Sequence, residues 1–132
     1  MDKHTNNILQ QNPREAARVA LKVFLNIMDA WGVKIKQRQV LLGSPDRNKF
    51  EQWQQGNIES MNLDVIIRIS YIIGIYKGLG LIFNDRNRAD KWINKPNEEF
   101  NGQSALESMF GGDIDQLKQV REFVDGPFNS IH

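Results

Sequence analysis

Few residues in this sequence have the types and the spacing that catalysis requires. The only histidines are His4 and His132, close to the two ends, and cysteine is absent. A Ser-His-Asp triad, a cysteine nucleophile and a thiolate metal site therefore find no support. The neighbouring carboxylates Glu98 and Glu99 stand in a polar stretch, where such pairs are far more often solvated than catalytic. We predict a protein that is not an enzyme and that uses no metal or other cofactor.

A different chemistry is offered by amide side chains near residue 50. On a helical wheel of residues 47–55, Phe50 and Trp53 share one face, and the amides project roughly opposite to them. Amide groups can bind the adenine edge in the major groove, and flanking cations suit phosphates. Helical hairpins with polar outer faces are also common in proteins that do not bind DNA, so both interpretations stay open. The predicted DNA-binding residues are Lys36, Arg38, Arg47, Asn48, Lys49, Gln52 and Gln55.

Short helices would position these side chains, because helix signals are strong and strand signals are weak throughout. Residues 12–15, Asn-Pro-Arg-Glu, predict a helix over 13–31. The next helix is short and ends at Gly43. Ser44 is predicted to cap the helix after it, with Pro45 as the first helical residue. Two short helices joined by a tight, glycine-containing turn are the outline of a helix-turn-helix.

The second half begins with the most apolar segment of the chain. Asn62 is predicted to cap a helix over 63–83 that is apolar on nearly every side and is therefore buried. An arginine, a lysine and three glycines within this helix argue against a membrane span. Two of the glycines, Gly74 and Gly78, would admit a second helix, either from the same chain or from the partner in a homodimer.

Three shorter helices complete the predicted fold, and the second of them starts at a capping box of Ser104 and Glu107. Trp92 and Phe100 are predicted to pack into the core, while their polar neighbours stay at the surface. These helices are predicted over 86–94, 105–110 and 114–125. The sequence thus predicts an all-α protein of six or seven helices, with a helix-turn-helix region at 1–61 and a second helical domain at 62–132.

The charge balance and the N-terminal residues say more about the location of the protein in the cell than about its binding partner. The formal net charge is +1, with +3 in residues 1–60 and −2 in residues 61–132. This weak asymmetry is compatible with two different partners and equally with chance. The N-terminal residues are polar and contain no signal-peptide core. We predict a cytoplasmic protein with no membrane partner.

The second half also resembles a known family. Residues 63–125 resemble the toxin-binding domain of the Xre/MbcA/ParS antitoxins, and the preceding region looks like the Xre-type helix-turn-helix of such proteins. The helix-turn-helix part of the match, LLGSPDRNKFEQWQQG, is the more generic one. The matching positions are GIYKGL (74–79), LIF (81–83), Ala89, Trp92, Pro96–Asn97, Phe100, Gly102, Ser104 with Leu106, Gly112 and VREFVD (120–125).

The resemblance implies a function. Such antitoxins are encoded beside a toxin of the RES-type fold, which consumes NAD⁺, and they bind it through the C-terminal domain and obstruct its active site. They tend to form homodimers, and the helix-turn-helix binds operator DNA in their own promoter. One departure is Gln103, which stands where relatives often have a basic residue. The predicted toxin-binding residues are Asn97, Asn101 and Gln103, together with Phe128 as an exposed apolar anchor.

Two alternatives to this interpretation differ in their partners. A stand-alone helix-turn-helix transcriptional regulator would bind its operator regardless of any toxin. A helical interaction domain that has lost DNA binding would bind a toxin and shift no operator. The identity of the product of the adjacent gene, together with a gel shift, distinguishes the antitoxin from these two alternatives.

Overall fold

Residues 13–126 are described by a computed structural model, in which seven α-helices pack together. The prediction of an all-α protein is confirmed. A 3-10 turn, Glu98–Phe100, stands between the fifth and sixth helices, and an isolated bridge joins Pro96 to Ser104. The helices are α1 (Pro13–Trp31), α2 (Ile35–Leu41), α3 (Arg47–Gln54), α4 (Leu63–Ile82), α5 (Arg86–Ile93), α6 (Ala105–Met109) and α7 (Ile114–Asp125).

Two of the predicted side-chain caps start their helices in the structure. The Asn62 side chain accepts a hydrogen bond from the backbone N–H of Val65 at the start of α4. Ser104 and Glu107 form a complete capping box at α6, with one hydrogen bond in each direction. Each cap satisfies a backbone donor that the first turn of a helix leaves unpaired. The predicted helix bounds therefore agree with the structure to within one or two residues.

The start of α3 differs from its prediction. Asp46, not Ser44, is the cap, and its carboxylate accepts from the Asn48 N–H at 2.8 Å. Gly43 and Ser44 both have positive φ, +90° and +55°, and the Ser44 N–H donates to the Gln39 carbonyl. This left-handed pair completes the end of α2, so Ser44 is used to close one helix and cannot begin the next.

The turn between α2 and α3 rests on an ion pair of α4 whose arginine is buried and whose aspartate is exposed. Arg68 Nε lies 3.0 Å from Asp64 Oδ2, and the Arg68 side chain is almost fully buried. A Cβ atom at Gly43 would lie 3.0 Å from both of these atoms. Gly43 is thus required for its left-handed φ and also for the close approach of the turn to α4.

The helix α4 is the centre of the core. It packs against α1, α5 and α7, and its largest buried side chains include Ile69, Ile72, Ile75 and Leu79. The same continuous cluster takes in α1 and the aromatic residues of α3. The regions predicted as 1–61 and 62–132 therefore share one hydrophobic core.

The outer side of α4 is more exposed than predicted. By length and composition alone this helix would suffice to cross a membrane. Its packing against three other helices and its buried arginine are those of a central core helix. Leu63, Ile67 and Leu81 nevertheless point away from the core and are exposed, so the prediction of burial on nearly every side is only partly correct.

Two of the three glycines of α4, Gly74 and Gly78, admit α7 of the same chain. A Cβ atom at Gly74 would collide with the guanidinium of Arg121, and one at Gly78 would lie 2.6 Å from Val124 Cγ1. Of the two possibilities that the sequence left open, packing within the chain accounts for both glycines. Because α7 covers both glycines, Gly74 and Gly78 offer no free surface for the predicted dimer contact.

Candidate partner-binding surfaces

The loop from Pro96 to Ser104 is closed on itself by backbone hydrogen bonds. The Asn97 N–H donates to the Gln103 carbonyl at 3.0 Å, and the Gly102 N–H donates to the Asn97 carbonyl at 3.1 Å. Ser104 at its end is buried and fixed by the capping box of α6. The 96–104 loop is therefore a short, internally bonded unit rather than an open connector.

The predicted toxin-binding residues have different places in this loop. Asn97 is half-buried, and its side chain accepts from the Glu99 N–H, so its amide oxygen serves the loop itself. Asn101 has φ +59°, a left-handed conformation that asparagine tolerates, and is exposed at the tip. Gln103 is exposed beside it. Phe128 lies outside the described residues.

Three half-buried aromatic rings hold the loop against α5 and α7. Trp92 stacks on Phe123 with a centroid separation of 6.1 Å, and Phe100 meets Phe123 edge-on at 5.5 Å. Trp92 and Phe100 also pack against the core, as predicted for both residues. Phe123 of α7 contacts both of the other rings. This aromatic cluster of Trp92, Phe100 and Phe123 joins the loop to two helices.

The α2–α3 hairpin presents a separate, polar surface. Phe50 and Trp53 are buried in the core, which confirms the inward side of the helical wheel. Arg47 pairs with Glu51 across 3.3 Å, an exposed pair of small energetic value. Apart from Arg38, all the predicted DNA-binding residues are exposed, namely Lys36, Arg47, Asn48, Lys49, Gln52 and Gln55.

Arg38 has a structural use that the sequence did not indicate. Its Nε donates to the Val33 carbonyl and its second guanidinium nitrogen donates to Asp29 Oδ1, both at 2.8 Å. Its side chain is only 12% exposed. The guanidinium thus fastens α2 to the end of α1, and we leave Arg38 out of the proposed DNA-binding residues.

Neither surface resembles a metal site. Between residues 13 and 126, no group of three or more histidine, aspartate or glutamate side chains is arranged to hold an ion. The exposed amides and the aromatic rings instead suit recognition of a macromolecule.

One of these surfaces lies within a segment that matches a known protein family. Residues 79–126 match the family described as the antitoxin Xre/MbcA/ParS C-terminal toxin-binding domain. The uncharacterized protein y4oB of Sinorhizobium fredii is 36% identical over 113 residues, which cover 84% of this chain and 87% of y4oB. No solved structure matches.

The chain belongs to the Xre/MbcA/ParS antitoxin family. The matched segment of this antitoxin begins at the end of α4 and contains the whole 96–104 loop and the aromatic cluster. The antitoxin thus carries a toxin-binding domain, and its partner is a toxin. The α2–α3 hairpin lies outside the matched segment.

Two features of this antitoxin were not predicted from the sequence, for different reasons. Helical periodicity within α7 does not reveal the contact of Phe123 with Phe100, because the two residues are more than 20 positions apart in the chain. The second feature is the exposure of Leu63 and Ile67, since α4 is predicted to be apolar on nearly every side and buried. Their spacing of four residues does place them on one side of the helix, but nothing local indicates that no other helix covers that side.

Proposed function

We propose that this antitoxin neutralises a RES-type, NAD⁺-consuming toxin encoded by an adjacent gene. It binds the toxin directly through residues 79–126, with Asn101 and Gln103 of the 96–104 loop among the contacts, and obstructs the toxin active site. The observation that carries the proposal is the match of residues 79–126 to a toxin-binding domain. The RES class of the toxin follows from the resemblance of the sequence to this family.

The rigidity of the loop supports this proposal. Ordering a flexible loop on binding costs affinity, whereas a loop already held by its own hydrogen bonds avoids most of that cost. The 96–104 loop is held at both ends and by the aromatic cluster. The backbone that carries its exposed side chains is therefore held in nearly one arrangement before the toxin arrives.

The charge of the domain also supports the proposed toxin class. Residues 79–126 contain nine acidic and six basic side chains, a net charge of −3. An enzyme that binds NAD⁺ must hold the anionic pyrophosphate, and cationic side chains such as arginine are well suited to that contact. A net-acidic antitoxin domain complements such a surface and increases the rate of encounter.

The toxin assignment is tested by co-expression with the product of the adjacent gene. We expect the toxin alone to lower cellular NAD⁺ and stop growth, and the antitoxin to restore both and to co-purify with the toxin. Restored growth without restored NAD⁺ would contradict the RES class. Failure to co-purify and to restore growth would contradict toxin binding itself.

We further propose that the antitoxin represses its own operon through the α2–α3 hairpin. Asn48 and Gln52 are proposed to bind adenine edges, with the remaining predicted contacts, Lys36, Arg47, Lys49 and Gln55, on phosphates or neighbouring bases. Exposure of the whole polar side of α3 above its buried aromatic anchors supports this use. The same exposed side is the basis of the alternative, a stand-alone regulator whose operator binding is insensitive to a toxin.

Operator binding gives a prediction with a control on the same helix. Asn48→Ala and Gln52→Ala should each weaken binding to the promoter DNA by roughly 1–3 kcal/mol and relax base preference, because each removes a bidentate contact. Gln54→Ala, an exposed amide away from that face, should bind like the wild type. The measurement is a gel-shift titration at fixed salt. Equal affinities for all three variants would show that α3 is not the reading helix.

A further inference from the structure

The end of α4 carries a run of three apolar residues, none of which is fully buried. Leu81 is 84% exposed, more than any other large apolar side chain between residues 13 and 126. Ile82 and Phe83 follow it and are half-buried against the core. We call Leu81, Ile82 and Phe83 the 81–83 patch. A run of apolar residues that reaches solvent costs solubility and is typical of a surface with a binding function.

Leu81 is uncovered because α7 ends too early to reach it. A Cβ atom at Gly74 would collide with Arg121, and one at Gly78 would lie 3.5 Å from Asp125 Oδ1, so the two helices run in the same direction along this contact. Leu81 continues the stripe of Gly74 and Gly78 by one more turn. The helix α7 ends at Asp125, and no later turn of it faces Leu81.

The last turn of α7 connects the 81–83 patch to the 96–104 loop. Phe123 of this turn meets Phe100 of the loop edge-on at 5.5 Å. Asp125, two residues later, lies beside the last turns of α4. The loop and the patch therefore flank the same end of α7, and both lie within the segment that matches the toxin-binding domain.

Polar residues border the 81–83 patch. Asn84, Asp85 and Arg88 come directly after it and are exposed, and the Arg88 guanidinium carbon lies 5.7 Å from the centroid of the Phe83 ring. An apolar centre with a polar rim is the usual arrangement of a contact between proteins. A DNA-binding surface would instead be rich in cations, whereas this rim carries one cation and one anion.

We infer that the 81–83 patch is a second contact with the toxin, in which Leu81 enters an apolar pocket of the toxin. The exposed amides of the 96–104 loop supply polar contacts, and Leu81 supplies the apolar burial that strengthens binding. This inference rests on the proposed function, because it gives the same partner a surface that the predicted toxin-binding residues do not include.

The test is the dissociation constant of the purified full-length antitoxin with the purified product of the adjacent gene. Leu81→Glu and Leu81→Lys should each raise it roughly tenfold or more, because either charge would be placed in an apolar contact. A loss with both signs of charge distinguishes lost apolar burial from electrostatic repulsion. Leu81→Met should bind like the wild type, because it keeps an apolar side chain of similar volume.

Leu63→Glu is the matched control. Leu63 is 70% exposed on the same helix, but it lies at the other end of α4 and outside residues 79–126. This variant should bind the adjacent gene product like the wild type. The two charge variants of Leu81 should melt like the wild type when no toxin is present, because so exposed a side chain contributes little to the core.

Three results would each overturn the inference. The first is wild-type affinity in either charge variant of Leu81. The second is an equal loss of affinity in Leu63→Glu, which would show a general effect of a new charge on α4. The third is a lower melting temperature of the Leu81 charge variants without toxin, since another part of this chain would then cover Leu81.

The same measurements distinguish this inference from the proposed function. If Asn101→Gly combined with Gln103→Ala loses affinity and the Leu81 variants do not, the inference fails and the proposed toxin binding stands. If the Leu81 variants lose affinity for an adjacent gene product that consumes no NAD⁺, the patch stands and the RES class fails. A wild type that forms no complex contradicts both.

Discussion

Arg38 illustrates how one contact changes the assignment of a residue. A cation just before a candidate recognition helix suits a phosphate. In the structure, its guanidinium instead donates to the end of α1, to Val33 and to Asp29. The carboxylate partner is nine residues earlier in the chain, a separation at which no local pattern signals a pair.

Substitutions of Arg38 and Lys36 therefore distinguish a residue that stabilises the fold from one that is proposed to bind DNA. Arg38→Ala should lower the free energy of unfolding by about 1–2 kcal/mol, because it removes two hydrogen bonds and a largely buried side chain. Lys36→Ala, exposed on the same short helix, should leave stability unchanged and reduce the salt dependence of operator binding. Chemical denaturation and gel shifts at several salt concentrations measure both effects. Equal stability of the two variants would contradict the assignment of Arg38.

The start of α3 gives a second pair at the residue scale. Asp46→Ala should lower the free energy of unfolding by about 1 kcal/mol, because it leaves a first-turn N–H without its carboxylate. Ser44→Gly should instead raise stability by a few tenths to about 1 kcal/mol, because glycine adopts the left-handed conformation of Ser44 without strain. If Ser44→Gly destabilises the protein more than Asp46→Ala, Ser44 is the cap and our assignment is wrong.

For the secondary-structure elements, local sequence signals predict where the helices lie. Contacts between residues distant in the chain determine what each helix packs against. The caps at Asn62 and Ser104 were predictable, since each acts on residues two to three positions away. The cap of α3 was not, because Ser44 and Asp46 are both good caps and only the backbone conformation of Ser44 chooses between them. The helix that packs against Gly74 and Gly78 could be predicted only as one of two alternatives, because the spacing of the glycines on α4 does not indicate which helix contacts them.

The contact between α4 and α7 provides the prediction for this scale. Gly78→Ala should destabilise the fold by about 1–2 kcal/mol, because the overpacking against buried Val124 exceeds the gain in helix propensity. Gly80→Ala gains the same propensity but displaces the Arg86 guanidinium, which donates to the Tyr76 carbonyl and pairs with Asp90. It should destabilise the fold less than Gly78→Ala in thermal unfolding, because the Arg86 side chain is partly exposed and can turn toward solvent. A stabilising Gly78→Ala would show that α7 does not approach α4 as described.

At the scale of the whole molecule, one helical core carries three surfaces. The 96–104 loop with its aromatic cluster belongs to the matched toxin-binding domain, the polar side of α3 is proposed to read DNA, and a third side, which carries Leu63 and Ile67 of α4, is not covered by the fold. The fold and the family were within reach of the sequence, through helix caps and a dispersed motif. The uncovered side of α4 was not, because it is visible only once every neighbouring helix is in place.

The central claim is that this antitoxin binds its toxin through the domain that carries the 96–104 loop. Its most direct test is the dissociation constant of the purified antitoxin with the product of the adjacent gene. Asn101→Gly combined with Gln103→Ala removes two exposed side chains and keeps the left-handed turn, so affinity should fall roughly tenfold or more. Asn48→Ala combined with Gln52→Ala should bind the toxin like the wild type. Absence of any complex with the wild type, or equal affinity of the loop variant, would contradict the account.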